Sequence, residues 1–221
     1  MSVTIILPVY QAVDALAQCL AALERTLPAG VLVHLADDAS PDPAISTLVN
    51  DTINRGVLTL RYVRREINLG FVGNVNAAFD ECSGDDVILL NSDTVPALGW
   101  YEAMLRCAAS DARIGTITPW SNNAEICSFP ELCRLNPFPS VQESTRIAKT
   151  LQILASSTYP ELPTGVGFCM FVRRAMLDRI GTFDHATFGR GYGEENDLCM
   201  RAAGHGWKNV LCEQAYVAHH G

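Results

Sequence analysis

Four times in its first half this chain repeats one pattern: a short β-rich apolar run, a turn or capping signal, then a stretch with helical apolar spacing. VTIILPVY reads as a strand, after which Asp14 opens a helix with Leu16, Leu20 and Leu23 on one face. Val31–Asp37 reads as a second strand, followed by a helix begun between Pro41 and Pro43. TLRYVRR is a third strand, with a helix from about Phe71 to Cys82, and DVILLN is a fourth, its following helix introduced by Pro96. Successive strand-then-helix units imply an α/β fold with a mostly parallel sheet covered on both faces.

The second half is less regular. A strand is expected near Ile114–Thr118, then about 45 residues rich in Ser, Asn and Pro hold one helix near Val141–Ala155, long enough for a connection to suggest function. GVGFCMFVRR reads as a strand, Arg174–Ile180 as a short helix and EENDLCMRAAGHG as a helix ending on glycine. NVLCEQAYVAHH supplies one or two closing strands.

Size and charge narrow what such a fold does. At 221 residues and 48% hydrophobic content the chain suits one large α/β domain or two small ones. Sixteen Lys and Arg against 24 Asp and Glu leave a formal charge of -8, which excludes the basic footprint that nucleic acid or anionic lipid needs. Eight cysteines without a CxxC pair, several inside apolar runs, read as reduced, mostly buried thiols of a cytoplasmic protein. The start has no basic region before its apolar run, and no stretch reaches about 18 apolar residues, so neither signal peptide nor transmembrane segment is expected. The end on His219, His220 and Gly221, just after an apolar run, suits a catalytic domain cut from a longer chain.

Ligands of open parallel sheets gather beyond the carboxyl ends of the strands. Those ends carry Pro8 and Tyr10, then Asp37 and Asp38, then Arg64, Arg65 and Asn68, and finally Asn91 and Asp93. Two acidic strand ends beside a basic one suit a nucleoside diphosphate with its metal, because a hard divalent cation takes one or two carboxylates and binds the phosphates directly. Adding His219 or His220 to Asp93 favours Mn²⁺ somewhat over Mg²⁺. The P-loop and the dinucleotide-binding glycine pattern are both missing.

Seven segments taken in order carry a resemblance: LPVY, ADDASPD, REINLGFVGNVNAAF, LLNSDTVPALGW, GFCMFVRRAMLDRIGTFD, GYGEENDLCMRAAGHGW and AYVAHHG. Together they resemble the inverting nucleotide-sugar glycosyltransferases of family 2, and within it the rhamnosyltransferase and galactofuranosyltransferase-like branch, over nearly the whole chain. The resemblance implies a GT-A fold, a single Rossmann-like α/β/α sandwich. Residues 1–95 would form its nucleotide-binding half and 96–221 its acceptor-binding and catalytic half.

Carried over by position, the resemblance puts Pro8 and Tyr10 beside base and ribose, Asp38 at the nucleobase, and Asn68 and Gly70 along ribose and diphosphate. Asn91, Ser92 and Asp93 stand at the family's DxD motif, with Asn91 replacing its first acid. Asp93 and His219 would hold a divalent Mn²⁺ or Mg²⁺. Glu195 occupies the general-base position, usually Asp, with Asp197 and Arg201 at the family's spacing. The implied partners are a UDP-, dTDP- or GDP-sugar donor and a glycan, lipid-linked or protein acceptor, as in polysaccharide biosynthesis. Contact with the inner face of the membrane would fall to a missing extension.

Plainer readings compete with these assignments. Asp93 would serve equally as N-cap of a helix near Pro96, and Glu194, Glu195 and Asp197 as charges balancing a helix dipole, with Asp197 pairing to Arg201. Asp37 suits a turn, Arg64 and Arg65 a solvated edge as well as a phosphate, and Asn74 and Asn76 packing as well as the sugar. Trp120 reads as crevice wall or as an acceptor platform. Two other functions share this chemistry: a sugar nucleotidyltransferase, which would carry a glycine-rich basic loop after the first strand, and a non-catalytic sugar-nucleotide or glycan-binding module.

Overall fold

The structure, a computed structural model, describes residues 2–221. Strand β1 (Val3–Val9) is buried at every position, as the centre of a two-face-covered sheet requires. It is followed by α1 (Val13–Thr26), β2 (Leu32–Asp37), α2 (Pro43–Arg55), β3 (Thr59–Arg64), α3 (Gly70–Glu81) and β4 (Asp86–Leu90). Local chemistry sets these boundaries. The Asp42 carboxylate accepts from the Ala44 amide with Pro43 at the first helical position, and Gly56 closes α2 at φ 66°.

The chain continues through β5 (Thr94–Pro96), α4 (Trp100–Ser110), β6 (Ile114–Trp120), α5 (Val141–Leu154), β7 (Cys169–Val172), α6 (Arg174–Ile180), α7 (His185–Phe188), α8 (Glu194–Gly204) and β8 (Lys208–His219). Ser140 and Glu143 form a reciprocal capping box at the start of α5. The eight strands form one sheet in the order β3-β2-β1-β4-β7-β6-β8-β5. β3, β2, β1 and β4 run parallel, β6 and β8 are parallel, and β7 is antiparallel to both its neighbours.

Alternate side chains of β1 feed two cores. Ile5, Leu7 and Val9 join Leu16, Leu20, Ile45, Trp100 and Met104 on one face. Ile6 joins Val72, Phe79, Met176, Leu177 and Leu198 on the other. The result is an α/β/α sandwich in which α1, α2 and α4 cover one side and α3, α6 and α8 the other.

Several local expectations change. Pro96 does not introduce a helix: it lies in β5, which pairs antiparallel with Val217–His219, and α4 opens only at Trp100, after Gly99 at φ 81°. Asp93 therefore caps no helix. β8 is one long strand, its register with β6 shifting between Pro119–Cys212 and Trp120–Tyr216. That irregularity turns its end across the sheet edge, where Thr94 faces His219.

Candidate active site

The β1–β4 ladder covers only Val3–Ile6 of β1, so beyond it the two strands part at their carboxyl ends. β1 sits between β2 and β4, and this is where the sheet's strand order reverses, the place where open α/β sheets form a crevice. Pro8 lies past the last β4 pair, where its missing N–H costs no bond to that strand. A cavity of about 510 Å³ opens here.

The eight residues assigned above to nucleotide-sugar binding all stand in its wall. Pro8 and Tyr10 follow β1, Asp38 follows β2, Asn68 and Gly70 form the turn into α3, and Asn91, Ser92 and Asp93 follow β4. Tyr10 is exposed and Asp38 almost wholly buried. The Asp38 amide donates to the Val9 carbonyl at 2.9 Å, and its Oδ1 accepts from the Leu69 amide at 2.7 Å. Asn68 Nδ2 donates to the Asp38 carbonyl at 3.1 Å, and Asn68 Oδ1 accepts from the Gly70 amide at 3.2 Å. These bonds tie the ends of β1 and β2 to the start of α3, whose N-terminal dipole faces the cavity.

Neighbouring charges serve other ends. Buried Asp37 accepts from the Ser40 amide and the Tyr62 hydroxyl, both at 2.8 Å, and lies 3.5 Å from Arg64 Nε. Arg65 is held by Glu81 and by Asn74 Oδ1 at 2.9 Å. Neither arginine lines the cavity; Arg64 is paired with Asp37 and Arg65 with Glu81. Asn74 lies in the wall, yet its amide donates to the Ala36 carbonyl at 2.8 Å, and Asn76 exchanges hydrogen bonds with the Phe183 backbone.

Asp93 is the chemical centre of the β4 turn. Its carbonyl accepts from the His220 amide at 3.1 Å and its Oδ2 from the Gly221 amide at 3.3 Å, while Oδ1 lies 3.5 Å from His219 Nε2. Burial pushes the Asp93 carboxyl up, but the His219 imidazole and the backbone donors outweigh it and hold it below its ordinary value. Burial likewise pulls His219 down, and its bond to Asp93, the Asn123 carbonyl and the Asp93 charge reverse that and raise it. His220 turns away, stacking on Phe138 at 3.8 Å.

These residues fit a divalent cation. His219 Nδ1 lies 2.8 Å from the Asn123 carbonyl, which anchors the ring and leaves Nε2 toward Asp93, the second-shell arrangement that metal-bound histidines use. Asn91 Oδ1 is a buried oxygen with no hydrogen-bond partner among the described residues. Among those residues no group of three or more His, Cys, Asp and Glu converges, so a cation here would draw further ligands from water and substrate.

Glu195 lies outside the cavity wall, on the first turn of α8. A Cβ built on Gly167 would stand 3.9 Å from its carboxyl. The adjacent Phe168 accepts from the Asn91 amide at 2.8 Å and stacks on His219 at 5.2 Å. One short segment before β7 thus links Glu195 to the Asp93 turn. Glu195 Oε2 and Glu194 Oε2 are both buried without a hydrogen-bond partner among the described residues. Burial, with the nearby Glu195 charge, pushes the Glu194 carboxyl up. Asp197 accepts from Arg201 Nε at 2.8 Å, the pairing its i,i+4 spacing suggests. Trp120 packs against Phe129 with ring centroids 6.0 Å apart.

A family model described as glycosyl transferase family 2 matches residues 4–181. The chain belongs to this family. The matched span includes every cavity residue after β1, β2 and β4 and ends before Glu195 and His219. No curated protein sequence matches this chain. Among solved structures it is similar to GalNAc-T7 with UDP, GalNAc and Mn²⁺, at 15% identity and a TM-score of 0.78, covering 99% of this chain and 44% of that one. A second is the mannosyltransferase PcManGT from Pyrobaculum calidifontis in complex with GDP-Man and Mn²⁺, at 16% identity and a TM-score of 0.70, covering 99% and 56%. A third is S. aureus TarS 1-349, at 19% identity and a TM-score of 0.67, covering 99% and 60%. The domain thus has the GT-A fold and spans 44% to 60% of the length of these neighbours. Among the described residues no helix is long and apolar enough to cross a membrane.

Three wall residues, Val9, Phe71 and Arg190, escaped the sequence reading, and of these only Arg190 carries charge. Arg190 enters the cavity from the loop between α7 and α8, far along the chain from the strand ends. Its only sequence signal is its place between Gly189 and Gly191 in the glycine-rich stretch that leads into the Glu194–Glu195 pair.

Proposed function

We propose that this domain transfers a sugar with inversion from a UDP-, dTDP- or GDP-sugar to a hydroxyl of a glycan, lipid-linked or protein acceptor. The observation that carries this reading is the cavity at the β1–β4 reversal, with Asp93 backed by His219 in one corner. Pro8, Tyr10 and Asp38 would receive base and ribose, and Asn68, Gly70, Asn91 and Ser92 the ribose and diphosphate. Residues 1–95 serve as the nucleotide half and 96–221 as the acceptor half. The run of motifs favours a rhamnosyl- or galactofuranosyl-type donor.

Inversion is one displacement. The acceptor oxygen bonds to the anomeric carbon as the bond to the phosphate oxygen breaks, and the acceptor proton passes to a base. Glu195 fills that role: on the first turn of α8, its buried Oε2, without a hydrogen-bond partner among the described residues, is an acceptor waiting for a donor. Asp93 and His219 would hold Mn²⁺ or Mg²⁺, which when bound supplies charge neutralisation for the departing diphosphate. The GalNAc-T7 and PcManGT structures, which contain Mn²⁺ with nucleotide ligands, support a cation of this kind.

The nucleotidyltransferase alternative lacks its glycine-rich basic loop, since β1 passes to α1 through Tyr10, Gln11 and Ala12. Calorimetric titration with UDP, dTDP and GDP, with and without Mn²⁺, tests the reading. One base should bind, more tightly with the metal; no binding of any of them would overturn it. A screen of the matching sugar donors for slow diphosphate release then separates an enzyme from a binding module.

A further inference from the structure

The cavity's charges do not match the ligand proposed for it. Asp38 and Asp93 stand in its wall, the chain as a whole is acidic, and a nucleoside diphosphate brings further negative charge. A single cation at Asp93 meets the leaving group from one corner only. Arg64 and Arg65, the arginines nearest in sequence to the cavity turn, are committed to Asp37 and Glu81.

Arg190 is, among the described residues, the one cationic side chain in that wall. It makes no ion pair or side-chain hydrogen bond among them and is exposed. Its stem lies on the turn into α3: a Cβ built on Gly70 would stand 3.3 Å from Arg190 Cγ. Glycine at position 70, at φ 74°, is thus what lets the arginine approach the amino end of that helix. The loop that carries Arg190 is set by left-handed backbone at Gly189 (φ 50°), Gly191 (φ 133°), Tyr192 (φ 74°) and Gly193 (φ 102°). Tyr192 is 99% exposed, so no side-chain packing holds the loop at that point. The loop leads directly into Glu194 and Glu195.

We propose that Arg190 is the protein's own counter-charge for the donor diphosphate, delivered over the cavity by the 189–193 loop. The proposal rests on the donor-site reading above and adds to it the residue that tells a diphosphate from a monophosphate. A guanidinium presents a planar fork of donors suited to two phosphate oxygens, and an unpaired one has no framework bond to give up on binding. Engaging it also brings the loop, and with it the start of α8, against the bound donor.

The test compares the wild type, Arg190→Gln and Arg190→Lys in Mn²⁺, using whichever of UDP, dTDP and GDP the wild type binds most tightly and the matching monophosphate. Loss of a charge-assisted contact should weaken the diphosphate by about 10- to 100-fold in Arg190→Gln. The monophosphate, which lacks the outer phosphate, should hold nearly its full affinity, and that arm also reports that the variant cavity is intact. Arg190→Lys should fall between the two. Equal weakening of both nucleotides, unchanged diphosphate affinity, or a lysine variant no better than glutamine would overturn the assignment while leaving the donor site standing. A wild type that binds none of the three diphosphates would overturn the donor site and this inference together.

Discussion

His219 Nε2 faces Asp93 Oδ1 at 3.5 Å, joining the last strand of the sheet to the turn that follows β4. The pairing of β5 with the end of β8 makes this meeting possible, since Thr94 lies opposite His219 in that ladder. A carboxylate and an imidazole brought together this way are a ligand pair or an ion pair, and the two uses respond oppositely to metal.

Without metal, the pair should contribute modestly to stability. His219 is raised above 6.5 in the fold, so its share is present below that pH and is lost as pH rises through the folded value. Asp93 is lowered below 3.8, so its share is present above that pH and is lost as pH falls through the folded value. A double-mutant cycle with Asp93→Asn and His219→Gln should therefore show a coupling of roughly 0.5–1 kcal/mol near pH 5, fading at both extremes. With Mn²⁺, either single variant should abolish most of the metal-dependent gain in nucleotide affinity, and a gain that survives in both would remove them as ligands.

Gly70→Ala tests the turn under the cavity. The left-handed backbone at φ 74° should cost about 1–2 kcal/mol in urea unfolding, and the new methyl should push Arg190 aside. Nucleoside diphosphate affinity should fall with it. A variant as stable as the wild type would show that the turn relaxes freely.

Acid should loosen the far side of the sheet before it reaches the site. Buried His34 lies 2.7 Å from Glu81 and receives a bond from Arg61 at 2.8 Å. Burial, and next the Arg61 charge, hold His34 below its ordinary 6.5, so the unfolded chain takes up a proton there first and stability falls as pH drops below about 6.5. Glu81 is pushed up by burial but lowered overall by Arg65 and His34, which extends the loss as pH falls through and below about 4.5. In His34→Gln, unfolding free energy measured between pH 7 and about pH 5 should slope less steeply than in the wild type. An unchanged slope would place the acid sensitivity elsewhere.

The parallel half of the fold was legible because β1, β2 and β4 are buried on both faces and each is followed by a cap or turn residue that acts locally. β5 was not, because three residues ending in proline become a strand only through a partner at the far end of the chain. The four-residue α7 depends on an Asp184 cap and on Asn76 gripping the Phe183 backbone, contacts that have no periodicity to read. The site shows the same division. Asp38, Asn68 and Asn91 sit where strands end, which spacing reveals, whereas Arg64 and Arg65 look equally well placed and are spent on Asp37 and Glu81. Arg190 comes from a loop, and only the fold brings it to the cavity.

The central claim is that Glu195 takes the acceptor proton while the diphosphate leaves from the Asp93 corner. Its most direct test is Glu195→Gln, measured for both nucleoside diphosphate affinity in Mn²⁺ and sugar transfer turnover. Turnover should fall by about 10²- to 10⁴-fold with nucleotide affinity unchanged. Turnover equal to that of the wild type would contradict it.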